Sequence, residues 1–313
     1  MKEVADDQTV EASHHKKVLQ RGNAMKISVF GNCQSQIMQS IIRFSSDLFE
    51  VPNIKLNYMV TKGDEYEIIS QFESSDVIFA QRVSDDFGVE WARSSVLKSM
   101  FRNKLLVWPN IYFDGYYPDA RYVYLNGWGK LPGPLDDYHF DNIITAHGKG
   151  MTVQEATEML RSGRALTQKM DYFHSSLLSL QSREADVDIP ISDFIEANLK
   201  TRLCFYTPNH PITFVMVEMC RRLLAKAGIP FDLERANTYG GKLDRIQIPF
   251  HPFIRQKYSF DFPLDDIYNG LSINAIEPFK VQLGGAARYS LEELVVAFYR
   301  LYDHAFAPQK AIP

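Results

Sequence analysis

The sequence predicts an α/β fold, a mostly parallel Rossmann- or SGNH-like sheet covered by helices, with a helical insertion or cap. Three observations predict it. From Met25 to about Asn110, short apolar β-rich runs alternate with amphipathic stretches, and strands separated by helices make βαβ units. The runs are apolar enough for strands covered on both faces, as in parallel sheets. Polar residues gather directly after the runs, and ligands of such sheets lie beyond the carboxyl ends of the strands.

Each element has its own local reason. "KISVF" reads as the first strand, and "QSQIMQSIIRF" puts Ile37, Ile41 and Phe44 on one helical face. "IKLNYMV" reads as the second strand, "EYEIISQF" as a helix, "DVIFA" as the third strand, "VEWARSSVLKSMF" as a helix and "KLLVWP" as the fourth strand. From about Asp136 to Arg202 the pattern turns helical. Thr152 and Glu155 form a T-x-x-E capping box, and Met170, Phe173, Leu177 and Leu180 keep helical spacing. "RLCFYTPNHPITFVMVEMCRRLLAKAG" supplies another strand, a polar turn and a long helix closed by Gly228, with Pro230 just beyond. A final helix begins at Ser290, with Glu293 at the box position. No repeat and no Pro/Gly/Ser linker divides the chain, which predicts one composite domain over 25–313 with the helical cap at about 136–202. Residues 1–24 are polar and lack a hydrophobic period, so they read as a disordered extension, and His14 and His15 inside it as solvated.

Composition narrows the functional classes. A chain of 313 residues, 45% hydrophobic, can bury a sizeable core. With 34 basic against 38 acidic residues and a net charge of −4, nothing indicates a sequence-independent grip on nucleic acid. No apolar run is long enough to span a membrane, and the first residues lack the apolar core of a signal peptide, which predicts a cytoplasmic protein. The three cysteines, Cys33, Cys204 and Cys220, are too few and too scattered for a disulfide framework or a Cys-rich zinc site. No metal site is expected.

Cys33 follows Gly31 and Asn32 at a strand-to-helix turn. There the free N–H groups and the positive end of the helix dipole favour thiolate, which suits a nucleophile. Gly31 lets the turn tighten. The Gln34 N–H and the Asn32 or Gln34 side-chain amide are candidate oxyanion donors. A buried structural thiol with Asn32 as helix cap is the alternative. A nucleophile of this kind needs a base. Among His139, His147, His174, His210, His251 and His304, His210 stands out in "TPNHPIT", after the strand "LCFY" and before a helix that Pro211 can start. His251, in "PFHPF", is second. Asp119, Asp114 or Asp86 could orient the base, and spacing does not choose among them. In "HGKGMT", Gly148, Lys149 and Gly150 precede a capped helix and could bind an anion, or could be ordinary turn residues.

Taken together, "FGNCQ" after the first strand, "PNIYFDGYYPD" after the fourth and "FYTPNHPIT" before the late helix resemble the WcbI family of capsular polysaccharide biosynthesis proteins, in the same order and over about Met25 to Ala305. The resemblance implies a coenzyme A or acyl-CoA binding protein, an acetyltransferase acting on a polysaccharide or its sugar precursor. Carried over by motif, Gly31, Asn32, Cys33 and Gln34 line the site. Tyr116, Pro118 and Asp119 join them from the second block, and Asn209, His210 and Pro211 from the third. In this reading Cys33 takes the acyl group or borders the coenzyme, and His210 activates the sugar hydroxyl. Two other classes stay open. The first block also resembles the nucleophile turn of SGNH-type esterases, with Cys33 in place of serine and without their D-x-x-H pair, since Asp303 and His304 are adjacent. A non-catalytic coenzyme or sugar-nucleotide binding protein is the third reading.

Overall fold

The computed structural model describes residues 24–163, 166 and 170–306. The extension read at 1–24, with His14 and His15, lies outside the described residues except for Ala24. In chain order the strands are β1 Met25–Phe30, β2 Phe49–Glu50, β3 Val77–Gln81, β4 Leu105–Trp108, β5 Ala120–Tyr122, β6 Tyr124–Leu125, β7 Gly129–Lys130, β8 Tyr138–Phe140, β9 Phe205–Thr207, β10 His210–Pro211, β11 Tyr268–Glu277 and β12 Lys280–Tyr289. The helices are α1 Cys33–Ser45, α2 Glu65–Glu73, α3 Ser94–Phe101, α4 Asp141–Gly148, α5 Val153–Arg161, α6 Tyr172–Arg183, α7 Ser192–Asn198, α8 Thr213–Lys226, α9 Leu233–Asn237, α10 Pro252–Lys257 and α11 Leu291–Ala305.

These elements fall into two compact units whose segments alternate along the chain. One contains the residues up to Ile111, Ser179–Glu196 and Pro211–Leu243; the other contains Tyr112–Leu178, Ala197–His210 and the chain from Asp244. With so many passages from one to the other, no single linker marks a boundary in the sequence.

The first unit carries the predicted parallel sheet, in the order β2-β1-β3-β4. Ile27 to Phe30 stand opposite Val77 to Ala80. The connection from β1 leads outward to β2, and the next one crosses back to place β3 on the other side of β1. The strand order therefore reverses between β1 and β3, which makes their carboxyl ends the topological switch point where such sheets bind ligands. Every residue of β3 is buried, the pattern of a strand covered on both faces. One face packs Phe30, Ile78, Ala80, Leu105 and Val107 against Ile68 and Phe72 of α2, Trp91, and Leu97 of α3, with Phe30 edge-on to Phe72 at 5.7 Å. Helix α1 buries Ile37, Met38, Ile41 and Ile42 and packs against α8. Phe44, expected on that apolar face, is 36% exposed against Tyr239 and Arg235.

One strand is misplaced by the pattern. "IKLNYMV" does not join the sheet; β2 is Phe49–Glu50, and Asn57–Met59 forms a short 3₁₀ turn. The reason is that the Asn57 N–H donates to the Gly31 carbonyl at 2.9 Å, docking this segment on the β1–α1 turn.

The second unit has an aromatic core. Tyr116 stacks on Phe250 with ring centroids 3.9 Å apart, and Phe113, Phe173, Phe205 and Phe260 surround the pair. The region 136–202 is mostly helical as expected, but it opens with β8, which pairs antiparallel with β5. Both capping boxes, Thr152 with Glu155 and Ser290 with Glu293, are formed. The β11–β12 hairpin, ten residues on each side, escaped the sequence reading, because most of its residues are only half-buried or exposed and so lack a clear apolar alternation. Among the described residues no helix is long and apolar enough to cross a membrane.

The edge strand β4 is covered by the segment around Asp188. The Val107 N–H donates to Asp188 Oδ2 at 2.7 Å, and the Asp188 N–H returns a bond to the Val107 carbonyl at 2.9 Å, so the edge is not left open. Asp188→Ala is expected to lower the unfolding free energy by about 1–3 kcal/mol in denaturant titration. Asp188→Asn, which keeps an acceptor oxygen, should lose less.

Candidate functional site

In the first unit, a network of amides converges on the turn after β1. Asn32 caps α1, its Oδ1 accepting the Gln34 N–H at 3.0 Å, so Cys33 is the first residue of the helix. The Asn32 N–H donates to Gln81 Oε1 at 3.0 Å, and Asn57 Nδ2 reaches the same oxygen at 3.4 Å. Gln81 Nε2 donates to Gln34 Oε1 at 3.1 Å. Gln34 is fully buried and clamps Ile111, donating to its carbonyl at 2.7 Å and accepting its N–H at 3.2 Å. Asn32 Nδ2 donates to Asn110 Oδ1 at 3.3 Å, and Arg183 Nε to the Asn110 carbonyl at 3.4 Å.

This geometry corrects the expected oxyanion donors. The Gln34 N–H is taken by the Asn32 cap, and the Asn32 and Gln34 side-chain amides are held by Asn110, Ile111 and Gln81. They build the turn. Gly31 is needed there for space: a Cβ on it would lie 3.0 Å from Gln81 Cβ and from Trp108 Cζ2. Cys33 itself is half-buried, whereas Cys204 and Cys220 are fully buried. Burial pushes the Cys204 thiol up to about 12 and that of Cys220 higher still, leaving Cys33 as the cysteine with access to solvent.

The second unit holds His210, Asn209 and Asp119. His210 opens β10, which pairs with β9 in a hairpin of two short strands. It therefore belongs to this hairpin, which Pro211 continues, while α8 starts at Thr213. Burial drives the His210 imidazole down to about 4, against a weaker opposite pull from Asp137, so it is neutral at pH 7. Its buried Nδ1 has no hydrogen-bond partner among the described residues. Beside it the Asn209 N–H donates to the Tyr138 hydroxyl at 3.2 Å, which also meets Thr207 at 3.3 Å and Tyr122 at 3.1 Å.

Asp119 does not orient His210. Its Oδ2 accepts from Asn142 Nδ2 at 2.9 Å and lies 3.9 Å from His251 Nε2, while the buried Oδ1 has no partner among the described residues. His251 caps α10, its Nδ1 accepting the Phe253 N–H at 3.1 Å, which puts the proton of the neutral ring on Nε2. Burial lowers His251 to about 4 and raises Asp119 to about 7. A cavity of about 10 Å³, lined by Asp119, His251, Tyr268, Phe140 and Leu160 among others, adjoins the pair.

Other expected residues have different tasks. Tyr116 has no exposed surface to offer a cofactor; its hydroxyl donates to the Leu199 carbonyl at 2.6 Å. Pro118 is half-buried in the same unit. The anion site expected around Lys149 is not built. The Lys149 N–H closes α4 on Thr145, Gly150 turns the chain at φ +67°, and the Glu155 carboxylate accepts the Thr152 N–H at the start of α5, where an anion would sit. His139 is fully buried with both ring nitrogens bonded, to Tyr302 and Leu131. Asp303 holds His147 at 2.8 Å and His304 bonds the Arg300 carbonyl, so the adjacent Asp303 and His304 have different partners. Gln81 and Asn110 were missed as individual residues. A polar residue ending an otherwise apolar central strand at the switch point is the signal that identifies Gln81.

The buried Asp119 generates a pH prediction. Its folded pKa lies above the unfolded value of 3.8, so the unfolded chain releases this proton first, and the contribution to stability falls as pH rises from about 4 to about 7. His210, His251 and His139, each lowered to about 4, act oppositely between about 4 and 6.5. Asp119→Asn removes only the first effect. Its Tm relative to the unsubstituted chain is expected to climb from pH 4 to 7 and level off above, with a stabilisation on the order of a few kcal/mol at pH 8.

A family model described as the polysaccharide biosynthesis enzyme WcbI matches residues 26–232, more than half of the chain. A search among curated proteins finds no match. A solved structure of WcbI, described as a polysaccharide biosynthesis enzyme in its native form without a disulfide bond between coenzyme A and one of its cysteines, superposes with a TM-score of 0.68 at 20% identity over 92% of each chain. At that identity the likeness establishes the fold. The resemblance first carried by "FGNCQ", "PNIYFDGYYPD" and "FYTPNHPIT" is thereby borne out, and the chain belongs to the WcbI family of polysaccharide biosynthesis enzymes.

Proposed function

We propose that the protein binds coenzyme A at the β1–α1 turn and transfers an acyl group, acetyl in the simplest case, from acyl-CoA to a hydroxyl of a polysaccharide or its sugar precursor in capsule or exopolysaccharide biosynthesis. The observation that carries this reading is Cys33, a half-buried thiol at the first residue of a helix, at the switch point of a parallel sheet. The helix dipole there favours a negatively charged sulfur. The coenzyme named with the related WcbI structure, and the cysteine of that protein named with it, agree with a thiol beside a thiol.

In the proposed reaction the Cys33 thiolate attacks the acyl carbonyl. A new C–S bond forms, the C–S bond to the coenzyme breaks, and the coenzyme leaves as a thiolate that takes up a proton. The acceptor hydroxyl then loses its proton to a general base as it attacks the Cys33 thioester, and the sulfur leaves as thiolate. His210 is proposed as that base on the strength of its family motif, and burial keeps it unprotonated at pH 7. Asn209 and Pro118 are proposed as binding residues on the strength of the family motifs alone.

Two measurements test this. Coenzyme A at a hundredfold excess over its Kd is expected to stabilise the folded chain by about 2.7 kcal/mol; no thermal shift with coenzyme A, alongside a shift with a nucleotide sugar, would overturn the coenzyme site. Intact-mass analysis after mixing with acetyl-CoA is expected to show one acetyl group that is absent from Cys33→Ala. No adduct, with full transfer activity in Cys33→Ala, would remove the covalent step. His210→Ala is expected to keep coenzyme binding and lose about 10²–10⁴-fold in transfer rate, with steady acetate release in the absence of a sugar pointing instead to a hydrolase.

A further inference from the structure

We infer that Gln81 is the positioning residue of this site: its side-chain amide grips the residues on either side of Cys33 and sets where the thiol stands. Oε1 accepts the N–H of Asn32, the residue before Cys33, and Nε2 donates to the side chain of Gln34, the residue after it. The same Oε1 takes Asn57 Nδ2, while the Asn57 N–H holds the Gly31 carbonyl, so the turn is also tied to the segment passing over it. Gly31 leaves the room for this contact, since a Cβ on it would press on Gln81 Cβ.

The chemistry of the position argues for direction rather than adhesion. Gln81 is 2% exposed and ends a strand that is otherwise Val, Ile, Phe and Ala. An apolar side chain would fill the space without desolvating an amide, and a buried amide returns that loss only when its hydrogen bonds are made. What an apolar residue could not supply is a directed acceptor for one neighbour of Cys33 and a directed donor for the other. A helix begins where its first turn is anchored, and here the adjacent strand adds its anchor to the Asn32 cap of the turn itself.

The inference rests on Cys33 as the reactive residue of the proposed function, but its test uses no coenzyme and no sugar, so the two can fail separately. The readout is the alkylation rate of Cys33 with iodoacetamide in the folded chain, followed by mass spectrometry; Cys204 and Cys220 are fully buried and report loss of folding. Gln81→Met keeps the length of the side chain and removes both hydrogen bonds. It is expected to alkylate about tenfold more slowly at pH 7, as the thiolate loses part of its support from the helix terminus. Gln81→Glu covers the case in which Gln81→Met does not fold. When protonated, Glu offers the same acceptor to Asn32 and the same donor to Gln34; when ionised, it cannot donate to Gln34 Oε1. Its rate is therefore expected to match the unsubstituted chain at the acidic end and to fall behind as the pH rises. A Gln81→Met variant that alkylates at the unsubstituted rate, or a Gln81→Glu variant whose ratio to it is constant across pH, would overturn the inference.

Discussion

The close approach of β3 to the β1–α1 turn is the constraint on which the candidate coenzyme site depends. Ile27 to Phe30 pair with Val77 to Ala80, and this register brings the next residue of β3, Gln81, against Gly31 and Asn32. Parallel strands hydrogen-bond to one another along their length, but beyond the last pair the backbone must find other partners. Here side-chain amides take over. Gln81, Gln34, Asn32, Asn57 and Asn110 satisfy one another and the Ile111 backbone where the ladder stops. The network is built of neutral amides, and the Arg183 guanidinium joins it at the Asn110 carbonyl.

Desolvation does the corresponding work in the second unit. His210 and His251 are pushed to about 4, and Asp119 to about 7, all mainly by burial. Water loss acts in opposite directions on acids and bases, lifting a carboxyl and lowering an imidazole, because in both it disfavours the charged form. The result, around pH 7, is two neutral imidazoles and a carboxyl far more protonated than usual. For His210 that means an unprotonated imidazole that is a weaker base than a solvated one. For Asp119 it means a carboxyl close to half-protonated, beside a neutral His251 that cannot compensate a full negative charge.

The aromatic core of the same unit buries polar groups of its own. Tyr116 and Tyr117 both turn their hydroxyls to backbone carbonyls, those of Leu199 and Phe205, so two large rings can be buried without an unsatisfied donor. The family block that contains them, "PNIYFDGYYPD", thus divides its tasks. Its aromatic residues pack, Asn110 reaches the Asn32 cap within the first unit, and Asp119 enters the buried pair within the second.

By itself the sequence determined what depends on neighbours along the chain. The parallel α/β class, strands β1, β3 and β4, the capping boxes at Thr152 and Ser290, and the position of Cys33 at a helix start all follow from periodicity or from contacts three or four residues apart, which are legible in one dimension. The three motif blocks were legible too, as a pattern shared with a family. Tertiary structure alone decided what each polar side chain does. Gln34 and Gln81 are separated by 47 residues, Asn32 and Asn110 by 78, and Asn142 and His251 by 109. Tyr116 became packing rather than a cofactor contact, Asp119 met His251 rather than His210, and Lys149 closed a helix rather than opening an anion site. The physical reason is that the role of an amide, a carboxyl or an imidazole is set by its partner and its loss of water, and folding supplies both from segments that are distant in sequence.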